Sequence, residues 1–188
     1  HDCQAEIERA LAWVGQPGNR ILTLGDAAYP QALLTAADPP VLLYVIGDVT
    51  LLNRPAFAIV GSRNATKQGE MNATAFAAAL AGAGLTIVSG LAAGIDAAAH
   101  RGALPETAST IAVIGTGCDR IYPASNAALA REIAERGVIV SEFPIGTPPI
   151  AANFPRRNRL IAGLGQGCLV VEAARQSGSL ITARLAAE

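Results

Sequence analysis

The chain has 188 residues, enough for one domain with a sizeable core. Hydrophobic residues make up 51% and charged residues 15%, which excludes an extended disordered chain, and with 4% aromatics the core must be aliphatic. Fourteen Lys and Arg against fifteen Asp and Glu leave a net charge of −1, so a polyanion would have to be met by a local patch rather than by bulk charge.

Residues 4–14 have helical spacing and stop at Gly15, Pro17 and Gly18. Residues 20–50 read as a short strand, a short helix near 30–35 and a second strand at 41–46, with Pro39-Pro40 between. Residues 1–50 are expected to form an appendage, a remnant of a helical domain plus lead-in strands. From Pro55 the pattern changes. Apolar runs at 57–60, 85–89, 110–114, 138–141 and 168–171 alternate with helical stretches at 67–81, 95–102, 124–136, 154–164 and 179–187. Apolar runs without polar alternation, separated by helices, predict a parallel sheet covered on both faces. Residues 51–188 are therefore expected to be a doubly wound, mainly parallel α/β domain of Rossmann-like type. The chain stops at Glu188 in a helical pattern without a cap, and a continuation of the sheet is expected.

Several function classes recede on this reading. The long uncharged run between Glu70 and Asp96 is broken by Gly82, Gly84, Gly90 and Gly94, which argues against a membrane span. His1 to Glu6 carry no signal-peptide pattern. Cys3, Cys118 and Cys168 are far apart and make neither a disulfide framework nor a zinc site, so a reducing cytoplasm is expected. The dinucleotide fingerprint fails, because Gly115-Thr116-Gly117 has Arg120 in its third glycine position. No complete hydrolase triad can be assembled. No metal site, cofactor or catalytic residue is expected.

Ligands of such sheets sit beyond the carboxyl ends of the strands. After the first run of the sheet, Gly61-Ser62-Arg63 and Lys67 offer close backbone approach, helix-end donors and positive charge, an anion site. Gly90 and Gly94 suit a tight phosphate-facing turn. One turn apart, Asp96 and His100 are placed to pair, as a satisfied structural pair before a general acid and base. Cys118 reads as inert. Asn153-Phe154-Pro155-Arg156-Arg157-Asn158-Arg159 is the most informative stretch. Three arginines at a helix start oppose the dipole, which an anionic partner would offset, and Phe154 offers a face for a base. Glu172 could be a catalytic carboxylate or a structural one. Ser177-Gly178-Ser179, with Thr182 one turn on, is a second anion cradle.

Taken in order, Gly61-Ser62-Arg63, Ser89-Gly90 to Asp96 with His100, Gly115 to Tyr122-Pro123, Ser141-Glu142, Phe154-Pro155-Arg156-Arg157-Asn158-Arg159 and Glu172 to Thr182 closely resemble the DNA-processing protein A family. The resemblance spans about residues 55–187, with a lead-in at Tyr29-Pro30 and Asp38-Pro39-Pro40. It implies a single-stranded-DNA-binding recombination mediator, not an enzyme. Such a protein protects incoming strands during natural transformation, helps load the RecA recombinase, and acts as a homodimer in the cytoplasm. DNA contacts carry over to Arg63, Phe154, Arg157, Asn158 and Arg159. Arg156 holds the family's variable position, and Lys67 is added from charge and place alone. The rival is a phosphoribohydrolase-like enzyme that cleaves nucleoside monophosphates. That group carries Pro-Gly-Gly-x-Gly-Thr-x-x-Glu at a strand end where this chain has Glu172 and then Ser177-Gly178-Ser179.

Overall fold

The structure, a computed structural model, describes residues 3–173 and 178–186. Its elements follow the sequence pattern closely. Helix α1 spans Cys3–Val14, strand β1 Asn19–Thr23, α2 Gln31–Leu34 and β2 Leu42–Gly47. Then come β3 Ala56–Gly61, α3 Lys67–Gly82, β4 Thr86–Ser89 and α4 Ile95–Ala103. The chain continues through β5 Thr110–Val113, α5 Ala127–Arg136, β6 Val138–Ser141, α6 Asn153–Leu164, β7 Cys168–Val171 and α7 Gly178–Leu185. The helix expected over 124–136 opens as a separate 3-10 turn at Ala124–Asn126. A second 3-10 turn, Val49–Asn53, lies in a stretch without a periodic signal. The uncharged run from 70 to 96 divides into most of α3, a turn and β4, and among the described residues no helix is long and apolar enough to cross a membrane.

The sheet runs β1-β2-β6-β5-β4-β3-β7. Strands β3 to β7 run parallel to one another, and β2 joins β6 antiparallel, so residues 19–47 extend the same sheet. Alternate strand residues serve opposite faces. Val45, Ala58, Val60, Val88, Ile111, Val113, Val138 and Val140 pack with Leu33 and with Leu160, Ile161 and Leu164 of α6. Tyr44, Ala112 and Ile139 pack with Trp13, Leu129 and Ile133, while Ile59 and Ile87 meet the alanines of α3 and α4. The alanine content has a physical use there. Ala73, Ala77 and Ala81 recur every four residues on α3, and Gly102 of α4 lies so near the Thr74 backbone that a Cβ would collide with it. Small side chains let these two helices approach closely.

The chain builds outward from β3 to β6, then returns across the sheet to place β7 on the other side of β3. This is a topological switch point. The turn after β3 leads to α3 on one face, while α6 and α7 lie on the other. The two connections diverge and leave a crevice at the strand ends, where α/β sheets bind ligands.

Candidate functional site

A cavity of about 750 Å³ opens at this switch point. Gly61, Ser62 and Arg63 form one wall, from the turn after β3. Phe154, Arg157 and Asn158 form another, from one face of α6 at three- and four-residue spacing. Gly178, Ser179 and Thr182 of α7 close the third side, and Asp96 lines it from the start of α4. Nine residues expected from sequence to bind a ligand thus converge on one space. Ser177 lies outside the described residues.

The mouth is aromatic and cationic. The Arg63 guanidinium carbon stands 5.6 Å from the Phe154 ring centroid. The Tyr122 ring lies 5.6 Å from the same centroid at an interplanar angle of 40°. Tyr122 is 46% exposed, so much of its ring is open to a ligand. Phe154 can lie where it does because Gly115 has no Cβ, which would come to 2.9 Å from the ring. Asn153 assists by donating to the Gly115 carbonyl at 3.3 Å and does not line the cavity. Arg63, Phe154, Tyr122 and Arg157 also line a smaller adjoining cavity of about 240 Å³. Tyr122 stands in one of the motifs that carry the family resemblance but is not among the site residues expected from sequence. Its signal was Tyr-Pro after a glycine turn at a strand end.

Arg157 is an anchor more than a lever. It is 4% exposed, and its Nη1 donates to the Gly90 carbonyl at 2.5 Å and to the Val113 carbonyl, tying the ends of β4 and β5 to α6. Burial pulls its guanidinium down to about 10, so it stays charged at neutral pH. Asp96 is its electrostatic partner. Burial raises the Asp96 carboxyl while Arg157 and the amides of Gly90 and Ala92, at 3.1 and 3.4 Å, lower it.

Gly90 and Gly94 serve the framework. Any Cβ on Gly90 would meet Arg157 and Asp96, and one on Gly94, at a φ of +74°, would meet the carbonyls of Ser62 and Arg63. The pairing expected between Asp96 and His100 does not form. His100 instead accepts from the Leu91 amide through Nε2 at 3.2 Å, and its Nδ1 faces Thr110 Oγ1 at 2.7 Å. The Thr110 hydroxyl already donates to Ile87, so Nδ1 carries the proton and the imidazole is neutral. Together with Asn126, which donates to the Leu91 carbonyl at 2.9 Å, His100 holds Leu91 in a left-handed conformation with φ of +58°.

Burial lowers the His100 pKa from 6.5 to about 3. The unfolded chain takes up this proton below pH 6.5 and the folded chain does not, so stability falls as pH drops through that window. The expected loss is about 1.4 kcal/mol per pH unit, or about 2 kcal/mol between pH 7 and 5. Urea unfolding of the chain and of His100→Gln at several pH values checks this. The difference between them removes the contribution of Asp96, whose raised pKa acts in the opposite sense. Equal slopes for both would refute it.

The N-terminus of α3, the helix-end part of the anion site expected after β3, is occupied from within. Thr66 caps the helix by accepting from the Gly69 amide at 3.0 Å. The Glu172 carboxylate accepts from the Thr66 amide at 2.8 Å and from its hydroxyl, which holds the carboxyl below its ordinary range. Lys67 is exposed beside this cap and does not line the cavity. Glu172 does not line it either, so the open choice for that residue resolves toward a cap. Cys118 is buried against the Tyr44 carbonyl, and burial pushes its thiol up.

The DNA recombination-mediator protein A family matches residues 20–188. The chain belongs to this family. It is 47% identical over 183 residues to protein Smf of Escherichia coli, a match that takes in 97% of this chain and 49% of that protein. It is also 47% identical over 163 residues to DNA processing protein DprA of Streptococcus pneumoniae, covering 87% and 57%. The X-ray structure of that S. pneumoniae protein superposes with a TM-score of 0.85 at 45% identity, over 89% of this chain and 59% of that one. The Helicobacter pylori DNA processing protein A, described for its single-stranded DNA binding mode, gives 0.80 at 37% identity, over 89% and 76%. The chain spans about half the length of the curated relatives it matches.

In this member of the family, the arginines of α6 divide between two faces. Arg157 turns toward the cavity, whereas Arg156 and Arg159 turn toward the end of β6. There Glu142 Oε2 receives Arg159 Nη2 at 2.5 Å, and Arg156 Nη2 stands 3.7 Å away. Asp38 completes the group, its carbonyl accepting from Arg159 Nη1 at 2.6 Å and its carboxylate 3.8 Å from Nη2. Burial raises the Glu142 carboxyl, and the two guanidiniums oppose that rise.

Proposed function

We propose that this chain binds single-stranded DNA without sequence preference at the switch-point cavity, as part of a recombination mediator. The observation that carries the reading is the layered arrangement of Arg63, Phe154 and Tyr122 at the cavity mouth. Such a stack takes a base of any identity on its aromatic face while the cation meets the adjacent phosphate. The H. pylori relative, a single-stranded DNA binder of the same fold, supports the ligand class. On this reading the whole protein shelters incoming strands in the cytoplasm during natural transformation, works as a homodimer and passes the strand to RecA. Its task is binding and transfer, without a chemical step. The phosphoribohydrolase reading gains no support, because Glu172 is spent on Thr66 outside the cavity.

Fluorescence anisotropy with labelled oligothymidylate and the matching duplex tests the ligand. The single strand should bind more tightly, and affinity should fall with salt. Arg63→Ala should weaken binding and make the slope of log K against log salt shallower by about 0.7, the share of one phosphate on a single strand. An Arg63→Ala chain with unaltered affinity and slope would remove Arg63 from the interface.

A further inference from the structure

We infer that Glu142 is an internal counter-anion that limits how many phosphates this chain engages. The inference rests on the single-strand reading above and concerns the same rim. On α6, Phe154, Arg157, Asn158 and Ile161 line the cavity. Arg156 and Arg159 fall on the adjoining face, above the end of β6, where Glu142 stands with its side chain 5% exposed. One oxygen of Glu142 lies between both guanidinium heads, 2.5 Å from Arg159 and 3.7 Å from Arg156, the place a phosphate oxygen would take. Asp38 adds a second carboxylate on Arg159. Two cationic heads thus face two carboxylates, and the local charge is zero.

This carboxylate is not free to leave. Its Oε1 and the Arg159 Nε are both buried without a hydrogen-bond partner among the described residues, so the group is held by packing rather than solvated. A strand lying along α6 would meet guanidiniums whose charge the protein's own carboxylates already balance. Arg157 is likewise committed, to the carbonyls of Gly90 and Val113. Although the α6 motif carries three arginines, Arg63 is left as the main cation for phosphate, with a part of Arg156, which is 62% exposed. Binding then depends mostly on stacking, and the salt slope is set by one or two phosphates rather than four.

Removing the negative charge of Glu142 should release Arg156 and Arg159 to the strand. Glu142→Gln keeps the shape of the side chain and an acceptor for Arg159. Its slope of log K against log salt for oligothymidylate should steepen by about 0.7 for each phosphate gained, about 2.6-fold more affinity lost between 50 and 200 mM salt. Asp38→Asn, at a carboxylate 81% exposed, should shift the slope in the same direction by less, and decides the matter if Glu142→Gln does not fold. Glu135→Gln on α5 makes the same change in net charge at a remote site and should leave the slope alone. An unchanged or shallower slope in Glu142→Gln, or in Asp38→Asn where only that variant folds, overturns the inference while leaving the single-strand reading intact. Absence of oligothymidylate binding by the unaltered chain overturns the reading instead. Heparin, a polyanion without bases, then decides the inference by whether Glu142→Gln elutes at higher salt than Glu135→Gln.

Discussion

Replacing Arg157 by alanine is expected to lower the stability of the chain by about 3–5 kcal/mol, the range found when one partner of a buried charge pair is removed. The change would leave Asp96 buried with no counter-charge and strip a shared donor from the carbonyls of Gly90 and Val113. Urea unfolding at pH 7 measures it. The double variant Asp96→Asn/Arg157→Met should recover much of the loss, because it removes both charges and retains an acceptor for the amides of Gly90 and Ala92. A single variant within about 1 kcal/mol of the unaltered chain, near the range of ordinary surface changes, would refute the anchoring role. The consequence for function is direct. Loss of DNA binding in Arg157→Ala would report a collapsed strand-end framework, not a missing phosphate contact. The salt slope should follow Arg63 instead.

Phe154→Ala should weaken oligothymidylate binding by about 1–3 kcal/mol, the worth of one base stacked on an aromatic side chain, which is about 5- to 150-fold. The ring is held from three sides, by Arg63, Tyr122 and the bare backbone of Gly115, so it is oriented before a base arrives. That pre-organisation reduces the ordering cost of binding. The salt slope should barely change, since no charge is lost. Phe154→Trp should keep most of the affinity, because stacking needs a flat face and not a particular ring. Anisotropy at fixed salt checks both variants. An alanine variant within about twofold of the unaltered chain, below the range of one stacked base, would place the bases elsewhere.

Arg157 and Phe154 belong to different layers of one site. On the proposed reading, Arg157 acts on the framework and should register in stability, whereas Phe154 acts on the ligand and should register in affinity. His100 belongs with Arg157. It was a candidate for proton transfer by residue type, yet it accepts from Leu91 and donates to Thr110 inside the core, with a pKa far below the pH at which a general base works.

The fold class, and which strand ends carry the candidate site, were legible in the order of residues alone. Apolar runs such as Ile111 to Val113 and Val138 to Val140 lack polar alternation because both faces of those strands are covered, and that pattern is local. The rule that ligands sit at strand ends then assigned Arg63, Phe154 and Thr182 to one place from sequence. Which charges are available was settled only by the folded arrangement. Arg157 meets the Gly90 carbonyl across 67 positions of chain, Arg159 meets Asp38 across 121, and Thr66 meets Glu172 across 106. Tyr122 was hidden for a related reason: its contact with Phe154 arises where the turn after β5 folds back over the start of α6. Periodicity fixes which face of a helix or strand a residue occupies, but it carries no information on which distant side chain will stand opposite. In a chain with nearly equal numbers of acids and bases, that pairing separates an arginine that can bind a phosphate from one already bound.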